Sequence, residues 1–306
     1  MGLLLAFLVA FLLVPLPPAS TVPTTTKSRM SYIVQAHPDD EFMGWSLVSQ
    51  RSEIYPVFVL LTQGGATGFG DGHDHQPEYG ETHPGGRFPS AKNSVELKAQ
   101  RTGSWHRFLD QMAPADGYLG LPSSVSYGSK PDGSYPFKVT AGDSSARIEF
   151  DAQDGALTAK LVADMMQVAR REAVPGRLPA LPEWDIIVAS YSNASGNAAQ
   201  TYANADHQAL HAAVFATDFV LPGRQYGRTS SADPRRDLVV ALPTDIYENA
   251  MGIDYATCQR TGSLQRTYGW LAFGNGGDNP CPGSWDKAEY DTGAFFSRVQ
   301  HWWTRF

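Results

Sequence analysis

Cysteine is scarce in this chain: Cys258 and Cys281 are the only two in 306 residues. No CxxC pair and no Cys/His spacing of the zinc-finger kind occurs, so a cysteine-based structural zinc has no basis. In an oxidising compartment the two cysteines read as one disulfide, about 3 kcal/mol in the chain-entropy model. The alternative is a pair of buried free thiols. Positive charge is also short, with 24 Lys and Arg against 31 Asp and Glu and a net charge of -7. That argues against a protein whose main task is gripping nucleic-acid phosphates. Charged residues make up only 18% and apolar residues 42%, which favours a large packed core over disorder. No apolar run reaches the roughly 18 residues that span a bilayer. There is no internal repeat. Neither GGATGFG (64–70) nor GNGG (274–277) is a dinucleotide fingerprint, because neither shows GxGxxG between a strand and a helix.

What is present begins with an apolar segment, residues 2–16 (GLLLAFLVAFLLVPL), followed by small and proline residues. It matches a secretory h-region with a cleavage zone near Ala19 or Ser20, although no Lys or Arg precedes it. The alternatives are an uncleaved anchor and a buried core helix. The expected organisation is a signal peptide or anchor over 1–28 and one domain over 29–306. The expected location is secreted or extracytoplasmic, with membrane contact only through the N-terminal segment if it stays uncleaved.

Along the domain, apolar runs alternate with helical patterns. SYIVQA (31–36) reads as a strand, 41–50 as a helix with Phe42 and Trp45 on one face, and IYPVFVLLT (54–62) as a strand covered on both faces. A Gly- and His-rich loop covers 64–89, and a helix follows over 90–112. Residues 114–155 read as an insertion that holds a hairpin at 135–150. A helix is expected over 157–173 and another over 206–219. Further strands are expected at 185–190 and 237–242. The sum is an α/β fold: a doubly wound, mostly parallel, Rossmann-like sheet with helices on both faces and long loop insertions. In such sheets ligands sit at the C-terminal strand ends, here where 36–40 meets 191–207.

The chemistry concentrates at those two places. In Ala36-His37-Pro38-Asp39-Asp40-Glu41, His37 and Asp40 lie three apart at a tight turn and can converge on one ion. Asp39, between them, is in position to face a metal-bound water without ligating, as a general base must. The other reading is a helix start, with Asp39 or Asp40 as N-cap. Downstream, Tyr202-Ala203-Asn204-Ala205-Asp206-His207 offers His207 as a third ligand. Two His, one Asp and an open fourth position make a catalytic zinc pattern. For a lone His at a helix start the alternative is capping or solvent exposure. His207-Gln208-Ala209-Leu210-His211 is not a zincin helix, because Gln208 cannot serve as the base of HExxH, and His211 reads as structural.

The order strand, AHPDDE, helix and a later YxNxDH resembles the LmbE-like (PIG-L) family of zinc-dependent N-acetylglucosaminyl deacetylases, which carries (A/P)HPDD early and HxDH far downstream. The resemblance runs from about residue 30 to the end, more loosely in the last quarter. It implies that His37, Asp40 and His207 hold Zn2+ and that Asp39 is the general base. It implies that Tyr202 polarises the substrate carbonyl and that Asp206 supports the site from behind. Asn204 stands where the family has the first His of HxDH, and an amide cannot supply a proton. The implied activity is removal of acetate from an N-acetylated sugar or glycoconjugate. The alternatives are an amidase acting on another acylated amine or sugar conjugate, and a catalytically silent carbohydrate-binding homologue.

Weaker features remain. His73, His75 and His83, with Asp71, Asp74 and Glu78, read as a solvated loop that serves as a lid or faces substrate, the alternative being an accessory metal site. Arg87 and Arg101 read as surface ion pairs or as substrate contacts. Trp270, Trp285, Trp302 and Trp303 read as packing residues or as sugar-stacking platforms.

Overall fold

The structure is a computed structural model that describes residues 26–66, 92–117, 119–190, 204–215, 223–229, 233–234, 236–254, 259–260, 262–268 and 297–305. Its strands are β1 (Arg29–Gln35), β2 (Ile54–Thr62), β3 (Ser124–Gly128), β4 (Phe137–Ala141), β5 (Ala146–Ala152), β6 (Glu183–Val188), β7 (Arg224–Thr229), β8 (Leu238–Ala241), the short β9 (Ile253–Asp254) and β10 (Gln259–Arg260), and β11 (Val299–Arg305). Its helices are α1 (Val95–Asp116), α2 (Ala159–Val168), α3 (Ala205–Phe215), α4 (Thr244–Met251) and α5 (Ser263–Tyr268).

The continuous apolar runs occupy the middle of the sheet. All nine residues of β2 are buried, as expected of a strand with protein on both faces. Around it the nine-stranded mixed sheet runs β3-β4-β5-β2-β1-β6-β7-β11-β8. β5, β2, β1, β6 and β7 are parallel neighbours, while β3, β4, β11 and β8 pair antiparallel at the two sides. The period-2 alternation of the strands sorts their side chains into two cores. Tyr32, Val34, Val57 and Val59 pack with Val162 and Met166 of α2 and Leu210 and Val214 of α3. Ile33, Phe58 and Leu60 pack on the other face with Trp105 and Phe108 of α1, Ile246 of α4 and Leu264 of α5. The result is an α/β protein whose central strands are covered on both faces.

Four local expectations change. The segment after His37-Pro38-Asp39-Asp40 is a 3-10 turn, Glu41–Leu47, rather than a helix to residue 50. All seven of its residues are buried, and Gly44 brings its backbone hard against β1: a Cβ there would lie 2.7 Å from Ile33 Cγ2. Residues 114–155 are no insertion, since β5 joins the parallel core beside β2. The strand expected at 237–242 is β8, at the outer edge, with alternating rather than continuous burial. β7 and β11 were not legible because RQYGRT and VQHWWTR carry no apolar run. Their fit depends on Gly227, whose missing side chain leaves room for the Trp303 indole. Trp302 and Trp303 enter one core each, so they are packing residues and not a sugar platform. Among the described residues no helix is long and apolar enough to cross a membrane. The 2–16 segment, the His-rich loop from residue 67 onward, Arg87, Trp270, Trp285, Cys258 and Cys281 lie outside the described residues.

Candidate metal centre

The site is built where β1 and β6 end side by side. The two strands pair through Val34 and Val188, and the Ala189 N–H then donates to the Val34 carbonyl at 2.9 Å. His37 leaves the end of β1. Its backbone N–H donates to Asp40 Oδ2 at 2.9 Å, which closes the turn and aims the Asp40 carboxylate back at its own start. His207 lies in the first turn of α3. Asn204 starts that helix as its N-cap, with its side-chain oxygen accepting from the N–H groups of Asp206 (2.9 Å) and His207 (3.3 Å). His211, one turn on, bonds through Nε2 to the Ser190 carbonyl, the structural part expected of it.

These elements bring His37, Asp40 and His207 together. Asp40 Oδ1 lies 3.4 Å from His207 Nε2 and Asp40 Oδ2 lies 3.7 Å from His37 Nδ1. One ligand atom from each of the three lies within 4.8 Å of the others, and all three residues are buried. The two imidazole rings stand 5.3 Å apart at 27°. Ligands about 2.0–2.1 Å from a tetrahedral ion are roughly 3.3 Å from one another, so the N/O donor set and its spacing fit a small divalent cation. The three residues are positioned to hold a metal ion.

Carboxylates hold the far side of His37. Its Nε2 lies 3.1 Å from Asp206 Oδ2 and 3.1 Å from Asp154 Oδ1. Both partners only accept, so the ring proton belongs on Nε2 and the Nδ1 lone pair is left for the metal side. Asp206 also accepts the N–H groups of Gly155 (2.7 Å) and Leu157 (2.9 Å), which ties the loop after β5 to α3. Burial alone would lower the His37 pKa, but Asp154, Asp206 and Asp40 outweigh it and raise it to about 10. Burial would likewise raise Asp40, yet the two histidines hold it below its usual range. The pocket therefore calls for positive charge, from a proton or from a metal ion.

Asp39 differs from its neighbours. Its side chain is 22% exposed, against 6% for Asp40, 8% for His37 and 2% for His207. Desolvation pushes its carboxyl up to about 6, with Arg101 pulling the other way. The guanidinium of Arg101 reaches from α1, donating to Asp39 Oδ2 at 2.9 Å, the Pro38 carbonyl at 2.8 Å and the Gly64 carbonyl at 3.1 Å. Asp39 has φ of 109°, an unfavourable region for a residue with a side chain. The conformation is pinned by its N–H, which donates to Glu41 Oε2 at 3.0 Å, while Glu41 Oε1 accepts from the Tyr268 hydroxyl at 2.8 Å. Burial raises Glu41 well above the usual carboxyl range.

Asp40 stands at the N-cap position of the 3-10 turn but makes no side-chain cap bond there; its carboxylate turns back to His37, and that of Asp39 accepts from Arg101. Arg101 is neither a surface ion pair nor a free substrate contact, because it is buried against the turn. Tyr202 lies outside the described residues. Three contributors escaped the sequence reading: Arg101 as the partner of Asp39, Glu41 as the brace of its backbone, and Asp154. The available signal for Asp154 was its place at the end of a strand, hidden while 114–155 read as an insertion. Comparison with protein-family models, with curated proteins and with solved structures finds no match.

Proposed function

We propose that this chain is a secreted, zinc-dependent amide hydrolase of the LmbE-like kind that removes acetate from an N-acetylated sugar. The observation that carries the reading is the convergence of His37, Asp40 and His207 with Asp39, the most exposed carboxylate of the group, at the turn between two of them. The strand order supports a doubly wound, Rossmann-like reading of the parallel core. From β1 the sheet grows outward through β2 and β5 on one side and through β6 and β7 on the other. The crevice at such a switch point is where ligands bind, and His37 and His207 flank it.

Zinc, when bound by His37, Asp40 and His207, supplies Lewis acidity and acidifies a water toward a pKa of about 7. Asp39, held ionised by Arg101, accepts a proton from the attacking water. A C–O bond forms at the acetamide carbonyl, and Tyr202 donates a hydrogen bond to its oxygen as negative charge grows there. One such donor contributes about 3 kcal/mol. Asp39 then returns the proton to the nitrogen as the C–N bond breaks, releasing acetate and an amino sugar. Asn204 takes no part in proton transfer; its side chain is engaged in capping α3, so Asp39 serves as both base and acid.

That same residue favours a second reading, a silent carbohydrate-binding homologue that keeps the metal and lacks the chemistry. Metal analysis and acetate release on a panel of N-acetylated sugars separate the two. About one zinc per chain with acetate release, lost in Asp39→Ala while the metal stays, is the expected result. Zinc without release from any acetylated sugar would move the reading to the silent binder or to a different amide. A chain that takes up no zinc would sink both.

A further inference from the structure

We propose that Asp154 is a positioning residue for the metal: with Asp206 it forms a two-carboxylate seat that fixes the ring and raises the donor strength of His37. The proposal rests on the metal reading of the site and not on the amide chemistry.

Asp154 and Asp206 meet the same imidazole nitrogen at the same distance, 3.1 Å, from different parts of the chain. Their other bonds differ. Asp206 is fully buried and accepts two backbone N–H groups besides the ring, so removing it also unties the Gly155–Leu157 turn. Asp154 has a simpler arrangement. Its Oδ2 accepts the Ala66 N–H at 2.7 Å and its Oδ1 faces His37. It is carried there by β5 and presented just before Gly155, whose φ of 82° turns the chain. An asparagine at 154 keeps a carbonyl oxygen for Ala66 and turns an N–H donor toward the Nε2–H of His37. The substitution therefore removes the imidazole contact selectively. A carboxylate on the outer nitrogen of a ligating histidine typically changes metal affinity by about 10- to 100-fold.

The test is zinc affinity of the purified chain, measured by competition with a chromophoric chelator, for wild type, Asp154→Asn and Asp164→Asn. Asp164 pairs with Lys160 on α2 and serves as a distant acidic control. Asp154→Asn is expected to weaken zinc about 10- to 100-fold and to alter the visible spectrum of the cobalt(II)-loaded protein. Affinity and spectrum equal to those of Asp164→Asn would overturn the proposal. If Asp154→Asn does not fold, Asp154→Ser and nitrogen-15 imidazole spectra of the zinc-loaded wild type replace it. A proton on His37 Nδ1 in those spectra would equally overturn it. Failure of the wild type itself to bind zinc is a separate outcome, which removes the metal reading and this proposal together.

Discussion

Two clusters of charged side chains are built against this sheet, one partly exposed and one largely buried, and they are balanced differently. Between α1 and the β4–β5 pair, Glu149 accepts from His106 at 2.9 Å and Lys138 at 2.8 Å, while Arg147 meets Asp110 at 2.5 Å. Two carboxylates there face two permanent cations, so the network neutralises itself. At the end of β1, Asp39, Asp40, Asp154 and Asp206 surround two histidines, and Arg101 is the permanent cation within hydrogen-bonding reach of one of them. Both clusters shift pKa values, but only the second carries an excess of negative charge. Perturbed carboxylates alone do not mark a functional site, because structural ion pairs perturb them too. An unbalanced set at paired strand ends is the sharper sign.

The imbalance of charge sets how far each substitution should reach, from loss of the metal to a small change in stability. His207→Ala removes a ligand from the unbalanced cluster, and metal content should fall from about one ion per chain to near zero by elemental analysis. Retention of metal would mean that the three residues do not act as a set. Asp39→Asn should leave the metal in place and lower acetate release by about 10²–10⁴-fold, the usual worth of a general base; a small change in rate would remove Asp39 from the chemistry. Glu149→Ala, in the balanced cluster, should leave metal content untouched and destabilise the fold by about 1–3 kcal/mol in a denaturant titration, because it strands partly exposed cations.

The same carboxylate has a defined pH signature. Burial would raise Glu149, but His106 and Lys138 outweigh it and hold its pKa below the ordinary value of 4.5. A depressed folded value stabilises the protein above the unfolded pKa, and that contribution is lost as pH falls through the folded one. The stability gap between wild type and Glu149→Gln should therefore be full at neutral pH and close below about pH 4.5. A gap that stays constant down to pH 3 would contradict the ion-pair account. Smallest of all, Asn204→Ala should cost about 1 kcal/mol through the lost cap of α3, read as a lowered unfolding midpoint.

The three residues positioned to hold a metal ion were legible because each depends on a local signal. His37 and Asp40 lie on one turn at the end of an obvious strand, and His207 opens a helix behind a capping residue. Their neighbours were less visible for reasons of distance along the chain. Arg101 comes 62 residues after the Asp39 carboxylate it grips, and Asp154 reaches His37 from beyond the end of β5. No spacing rule links such pairs before the sheet order is known.

Local pattern by itself determined the buried strands β1, β2 and β6, the helices behind Ser94, Thr158 and Asn204, and the turn that aims Asp40 at His37. Each of these depends on side chains within a few residues of one another, through apolar continuity, caps and short hydrogen bonds. Tertiary structure alone decided that β5 joins beside β2 and brings Asp154 to His37, that α1 lays Arg101 against Asp39, and that β11 inserts between β7 and β8. Those choices follow from which faces can be buried together in three dimensions, a property no single segment carries.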